Sequence, residues 1–448
     1  MNMLTLLIQF MVGLGFIARA AAKFIGTEKV RAQFDALRLG RPVRWTLGGL
    51  ELVGGLAMLV AIAQPFLVFF VAVFLVLLGT GTLLLRIARK YTQGISMIAL
   101  LMGGAVIAAA LQPLGLKVLA LPKAEALPLD PVVSARTVKV YGAGQWFESV
   151  KLGPDGTVYL TANKGENYAT GDKSQAHAQV IARSPDGTER VFLELPKGST
   201  AGVIAFDADG RMFMTGQGSQ LGVWRITPDG KGELFAKLPQ GAWPNGITVG
   251  PDKQLYVADA ALGIVWRIDP VSGSAVRAIE GAALHARRFI ALAPGANGLH
   301  FFGRDLYVTV SDAAQVLKYT LSPDGQFGPG SVFAEGIPGD DFAIDDQGTL
   351  YITTHPFNTI VRVTQHGQRT IIANATHGIV GATDVAFGVL PGDCNVLYVA
   401  TDGGAFSGDI EARGTLVALD VNAVKSGHKC GRQVLPNADP DVEVQSLR

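Results

Sequence analysis

The chain has little charge and no surplus of either sign. Asp, Glu, Lys and Arg make up 17% of its 448 residues, and the formal net charge is +1. Without a basic surplus there is no electrostatic footprint for nucleic acid, and that class of partner is excluded. Cysteine is nearly absent: Cys394 and Cys430 are the only two, both towards the C-terminus. The first apolar stretch lacks the basic n-region of a signal peptide, because its charges, Arg19 and Lys23, follow the apolar core. A retained helix fits it better than a cleaved leader.

What is present is unevenly spread. Residues 1–121 are strongly apolar, whereas residues 135–448 read as a soluble domain rich in Gly, Asp and Thr. Four apolar runs, roughly Leu4–Ala22, Thr46–Ala63, Phe66–Leu85 and Gly94–Leu114, reach the length of about 20 residues that crosses a bilayer. Loop 23–44 carries Lys23, Lys29, Arg31, Arg38, Arg41 and Arg44, and loop 86–91 carries Arg86, Arg89 and Lys90. The Gln64-Pro65 connection carries no basic residue. Basic loops stay in the cytoplasm, so both termini are expected outside.

The expectation is a four-helix transmembrane domain over residues 1–116, multi-pass in a bacterial inner (cytoplasmic) membrane with the lipid bilayer as its first partner. A linker over residues 117–135 follows, with Pro122, Pro128 and Pro131 keeping it extended. Residues 136–448 then form a periplasmic, exoplasmic domain. In that oxidising compartment Cys394 and Cys430 can pair; two unrelated buried thiols are the alternative. Glu51, within Gly48-Gly-Leu-Glu-Leu-Val-Gly-Gly55, is an acid at membrane depth and so a functional candidate. The plainer reading pairs it with Arg44 or Arg19 near the interface.

The soluble part repeats. Six second strands align on Tyr159, Phe213, Tyr256, Tyr307, Tyr351 and Tyr398, at intervals of 54, 43, 51, 44 and 47 residues. A tight polar turn, such as Pro154-Asp-Gly156 or Asp346-Gln-Gly348, precedes each, and third and fourth strands follow. Six meanders of four strands predict an all-β six-bladed propeller with one blade per unit. A two-sheet sandwich does not explain the recurrence. The strand at 137–141 precedes the first unit and is placed to complete the last blade.

The first strand of a propeller blade lines the central channel. Counting back from each aromatic to the start of that strand gives Glu148, Gly202, Asn245, Asn297, Asp340 and Thr383. Four oxygen-bearing side chains, Glu148, Asn245, Asn297 and Asp340, thus share one ring position. They are hard donors suited to Ca²⁺, less well to Mg²⁺ or Mn²⁺. No His or Cys stands in the ring, which disfavours zinc. A polar, water-filled channel with Asn and Asp capping turns is the alternative.

Phe-Glu148-Ser-Val, Pro-Asn245-Gly-Ile, Ala-Asn297-Gly-Leu and Gly-Asp340-Asp-Phe-Ala-Ile-Asp resemble the senescence marker protein/gluconolactonase (regucalcin) family and, more distantly, paraoxonase-like lactonases. The resemblance covers about residues 140–425. It implies a divalent metal on Glu148, Asn297 and Asp340, with Asn245 as ligand or substrate contact, and hydrolysis of a lactone or ester. Two departures stand out. Trp243 replaces the substrate-holding Arg of the sugar lactonases, and Ala201-Gly202 stands where paraoxonases carry His. The N-terminal helices, with Phe34-x-x-Leu-x-x-Gly40 before Gly48-x-x-Glu-x-x-Gly54, resemble the DoxX family, which implies a possible partner in a membrane redox complex.

Under the lactonase reading, a carboxylate not committed to the metal, Asp341 or Asp340, would take the proton of an attacking water. His355 is the best-placed top-face histidine. Arg287 and Arg288 would receive a substrate carboxylate, with Trp243 and Phe147 as an apolar wall. Solvated loop roles for the first group, and packing between blades for Phe147 and Trp243, are the alternatives. The competing function is a non-catalytic propeller that docks a partner in a membrane complex.

Overall fold

The computed structural model describes residues 3–61, 67–110, 127–129, 133–166, 173–286, 293–407, 409 and 411–422. The chain divides into two compact units, Met1–Leu121 and Pro122–Arg448.

The first unit holds five helices among the described residues: α1 (Met3–Ile25), α2 (Glu28–Ala36), α3 (Arg41–Val60), α4 (Leu67–Ala88) and α5 (Ile95–Ala110). Stretches within α1, α3 and α4 are long and apolar enough to cross a membrane, and α5 is a shorter apolar helix. The expected four spans are therefore three such helices, one shorter helix and an unanticipated α2. The α2 signal was present: Glu28 sits in the first turn, and Phe34 with Leu37 just beyond its end are buried together. Small residues let α1 and α3 approach, since a Cβ on Gly55 would lie 2.8 Å from the Gly13 carbonyl oxygen. The ends of the expected second and fourth runs, residues 62–66 and 111–116, lie outside the described residues.

The second unit is a six-bladed propeller of four-stranded antiparallel sheets. Its inner strands are Gln145–Leu152, Ser199–Phe206, Pro244–Val249, Ala296–Phe302, Phe342–Ile344 and Ala382–Phe387. Ser134–Val140 pairs with Thr415–Asp420 as the outermost strand of blade 6 and closes the ring, as the sequence suggested. Of the expected linker, Pro128 accepts the Ile371 N–H at 2.8 Å, so the described residues 127–129 run along blade 5. Residues 117–126 and 130–132 lie outside the described ones.

The repeated aromatic on strand two packs onto the inner strand of the next blade. Tyr159 meets Phe206 at 5.5 Å, Tyr256 meets Phe301 at 5.2 Å and Tyr351 meets Phe387 at 5.3 Å between ring centroids. Burying such rings stabilises these blade junctions. That accounts for the recurrence of an aromatic at this position.

Candidate functional site

Every ring position identified from the register lies where the inner strand departs from regular pairing. The register breaks between Phe147 and Ser149, Ala201 and Ile204, Pro244 and Ile247, Ala296 and Leu299, and Ala382 and Asp384. In blade 5 the regular strand begins only at Phe342, leaving Asp340 and Asp341 ahead of it. Bulges re-aim side chains out of the ladder, and here one falls at the mouth of the channel in blade after blade.

Strand-two threonines hold the bulges. Thr309 Oγ1 accepts the Gly298 N–H at 2.9 Å and donates to the Asp340 carbonyl at 2.6 Å. Thr215 likewise accepts from Val203 at 2.9 Å and donates to Asn245 O at 2.6 Å. The Thr353 hydroxyl lies 3.1 Å from the Asp341 nitrogen and 2.9 Å from the Thr383 carbonyl. Each latch ties one blade to the next at ring level. The glycine of each Asn-Gly pair follows from the same closeness: a Cβ on Gly298 would come within 2.6 Å of both Asp340 O and Asp341 Oδ1. The Asn-Gly pairs are therefore close blade junctions, not turns.

Two of the ring residues, Asn297 and Asp340, form a connected set with their neighbours. Asn297 Nδ2 donates to Asp340 Oδ1 at 2.8 Å and to Ser311 Oγ at 2.9 Å. Asp340 Oδ2 is 3.2 Å from His355 Nδ1, and His355 Nε2 is 2.9 Å from Asp402 Oδ2. Phe406 covers the imidazole at 4.8 Å. Burial, and then the charge of Asp340, push the Glu148 carboxyl well above its ordinary range. Burial also raises Asp340. For His355 burial works downwards, but Asp402 and Asp340 outweigh it and hold the imidazole well above its ordinary value. Burial would lift Asp402, yet His355 and the N–H groups of Phe406 and Gly404 keep its carboxyl below the usual range. The imidazole is thus a held cation between two carboxylates. His355 was anticipated; Asp402 as its anchor was not, because the pairing crosses from blade 5 to blade 6.

Asp341 does not join this set. Its Oδ1 accepts the Phe342 N–H at 2.8 Å and faces His300 Nε2 at 3.0 Å, while Oδ2 lies 3.9 Å from Lys151 Nζ. Lys151 also meets Asp384 at 2.9 Å, and Asp384 accepts from Ser149 Oγ at 2.7 Å. Consecutive residues of a bulge thus serve two layers: Asp340 the ring, Asp341 an ion cluster with residues further along the inner strands. Burial would raise Asp341, but Lys151 and His300 hold it below its ordinary value. Asp341, expected as a base, thus lies in an ion cluster with Lys151 and His300. Burial meanwhile raises Asp384 to about 6.

Other expected contributors separate. Asn245 is buried at the start of its strand, next to the half-exposed Trp243, whose N–H is held by Asp259 at 2.9 Å. Phe147 is wholly buried, 4.5 Å from Tyr141 and packed with Leu416 and Ala400, as packing between blades would have it. Arg287 and Arg288 lie outside the described residues. Cys394 is buried and disulfide-bonded; Cys430, the other cysteine, lies outside the described residues.

The donor set fits a hard cation. Asn297 Oδ1 is buried with no hydrogen-bond partner, and its Nδ2 is already used, so the free amide oxygen is the kind of atom a cation satisfies. Asp340 and Asp402 share a single imidazole, and Glu148 feels the charge of Asp340 and His355, an acidic surplus. Among the described residues no three His, Cys, Asp or Glu side chains are grouped at metal-binding spacing; the fit depends on amide oxygens.

Residues 176–402 match the family model described as the SMP-30/gluconolactonase/LRE-like region, just over half of the chain. The chain belongs to that family. Its blade-1 ring residue, Glu148, precedes the matched segment. Among solved structures, this SMP-30/gluconolactonase-like chain is similar to a gluconolactonase from Xanthomonas campestris at 17% identity and a TM-score of 0.47, covering 67% of this chain and 98% of that one. A calcium-binding regucalcin from Agrobacterium tumefaciens matches at 14% identity and a TM-score of 0.46, covering 65% and 96%. A luciferin-regenerating enzyme matches at 16% and 0.49, covering 67% and 98%. No curated protein matches the sequence.

Proposed function

We propose that the protein is a membrane-anchored, metal-dependent hydrolase of lactones or esters, working at the top of the propeller channel. The observation that carries this reading is the buried, unpartnered Oδ1 of Asn297, whose Nδ2 meets Asp340, the carboxylate whose charge acts on Glu148. Glu148, Asn297 and Asp340, with Asn245 beside them, would hold a divalent cation, Ca²⁺ by donor type. When bound, it would polarise the scissile carbonyl and acidify a water.

The chain's own groups then divide the work. A carboxylate not committed to the cation, Asp340 or Asp341, would receive the proton of the attacking water. His355, held by Asp402, keeps Asp340 in place and returns a proton to the leaving oxygen. Trp243 offers apolar surface at the mouth, which suits an acyl or ring substituent better than sugar hydroxyls.

The helical unit is read as the anchor. Three apolar helices and the basic loops at residues 23–44 and 86–91 support a bilayer-spanning unit with the propeller on the exoplasmic side of a bacterial inner membrane. The DoxX-like motif around Glu51 extends this to a place beside a membrane redox partner.

The test is hydrolysis of a panel of lactones and aryl esters by the purified full chain, with metal analysis of the same sample. Turnover that chelation abolishes, and that Asp340→Ala removes while the circular dichroism spectrum is kept, bears the reading out. A folded protein that binds metal but hydrolyses nothing on the panel replaces it with a docking scaffold.

A further inference from the structure

The helical unit contains buried charge that the propeller chemistry does not use. The first 121 residues hold three acids, Glu28, Asp35 and Glu51, against eleven Lys and Arg residues. Glu28 and Asp35 are exposed on α2, whereas Glu51 is 1% exposed on α3. Both Glu51 oxygens are taken: Oε1 by Arg19 Nη2 at 2.8 Å, Oε2 by Lys23 Nζ.

Two more cations, Arg44 and Arg86, are buried there, and among the described residues neither forms an ion pair with an acid. Arg44, Gly48 and Glu51 lie on the buried face of α3, at positions one and two turns apart. A Cβ on Gly48 would come 3.2 Å from Lys23 Cβ, so Arg44 stands one turn from Lys23. The Arg44 guanidinium presses on Gly26, where a Cβ would lie 2.2 Å from Nη1. Arg44 is 92% buried, being 8% exposed, and its Nε and Nη1 have no hydrogen-bond partner. Arg86, 7% exposed, donates to the Gln93 carbonyl and to Gln33 Oε1 at 3.4 Å, and it interacts electrostatically with Arg19 and Lys23. Arg19 and Lys23 therefore share one carboxylate, while Arg86 is held by amide oxygens and Arg44 Nε and Nη1 by nothing among the described residues. A guanidinium removed from water with donors unmet is unfavourable unless an anion completes it.

We infer that Arg19, Lys23, Arg44 and Arg86 form a binding site for a phosphate-type oxyanion, with Arg44 as its unfilled donor. Guanidinium groups in excess of carboxylate suit a multiply accepting oxyanion better than a single carboxylate. The groups sit where α1 ends, α3 begins and α4 ends, the same end that carries the basic loops. If the unit spans a bilayer as proposed, that end lies at the cytoplasmic headgroups, and the oxyanion is the phosphate of an anionic lipid. The site itself does not depend on that reading; the source of the phosphate does.

The experiment uses the full chain in a zwitterionic detergent. Native mass spectrometry measures retention of phosphatidylglycerol against phosphatidylcholine, and calorimetry measures binding of inorganic phosphate. Preference for phosphatidylglycerol of about tenfold or more, lost in Arg44→Gln, supports the site with lipid as its source. Phosphate binding without lipid preference, again lost in Arg44→Gln, supports the site with a soluble anion as its source and removes the membrane argument. Glu51→Gln, which frees Arg19 and Lys23, should tighten either ligand. The proposal is overturned if wild-type protein retains neither ligand, if Arg44→Gln binds like wild type, or if folded Glu51→Gln loses binding.

Discussion

Lys151 lies between the two buried carboxylates of the lower channel layer, Asp341 and Asp384, and its replacement by methionine is the most direct test of that layer. Its ammonium is 2.9 Å from Asp384 and 3.9 Å from Asp341. At an effective dielectric of 20 those contacts correspond to gross attractions of about 6 and about 4 kcal/mol. Most of that is offset by desolvation. What a variant exposes is the penalty of leaving the carboxylates without a cation, about 3–5 kcal/mol for a buried pair. Lys151→Met should therefore destabilise the propeller by about that much at pH 7.5, measured as a shift in denaturant midpoint.

The penalty should depend on pH in a defined direction. The Asp384 carboxyl is already raised to about 6 by burial, from about 3.9 in an unfolded chain. Losing Lys151 raises it further. A protonated Asp384 needs no cation, so the part of the difference that comes from Asp384 should be full only above the variant's raised pKa. It should shrink as the pH falls from there to the wild-type value of about 6. Adding Asp384→Asn to Lys151→Met should recover much of the loss at pH 7.5. A Lys151→Met protein within about 1 kcal/mol of wild type, or a penalty that grows on acidification, would refute the ion-cluster reasoning.

Asp402→Asn should leave substrate binding near wild type but lower kcat by roughly 10²-fold, the scale of a misplaced proton donor; with one carboxylate gone, the alkaline limb of the rate profile should move to lower pH. Gly298→Ala forces a methyl against the Asp340 carbonyl and the Asp341 carboxylate, so a loss of about 1–3 kcal/mol is expected, with hydrolysis falling alongside stability. Cys394 is disulfide-bonded, so alkylation of denatured, unreduced protein should add no mass, and reduction should lower the denaturant midpoint by an amount equivalent to about 2–4 kcal/mol.

The blades and the ring were legible because the same packing demand recurs. An aromatic that must cover the next inner strand imprints a period on the sequence, and counting back from it locates Glu148, Asn245, Asn297 and Asp340. What was not legible depends on side-chain direction. A bulge sends Asp340 and Asp341 to different layers, and nothing in the dipeptide distinguishes them. The Asp402–His355 pair joins loops of different blades, and that partnership exists only once the ring is closed. Phe147 stands next to a ring residue in sequence, but strand alternation turns it into the blade junction. In the helical unit, α2 was hidden within a loop chosen for its charges, although its buried Phe34 and Leu37 carried the helical spacing.

The closing strand has a consequence for how the ring is made. Ser134 pairs with Asp420, so among the described strands the outermost strand of blade 6 is synthesised first and its partner last. Contacts this distant in the chain carry a high loop-closure entropy and slow folding. Blades 1 to 5 can each assemble from neighbouring residues, but blade 6 must wait for both ends. The His355–Asp402 contact spans blades 5 and 6, so the proposed proton path is completed in that last step. A chain truncated before Thr415 should retain several folded blades and no activity.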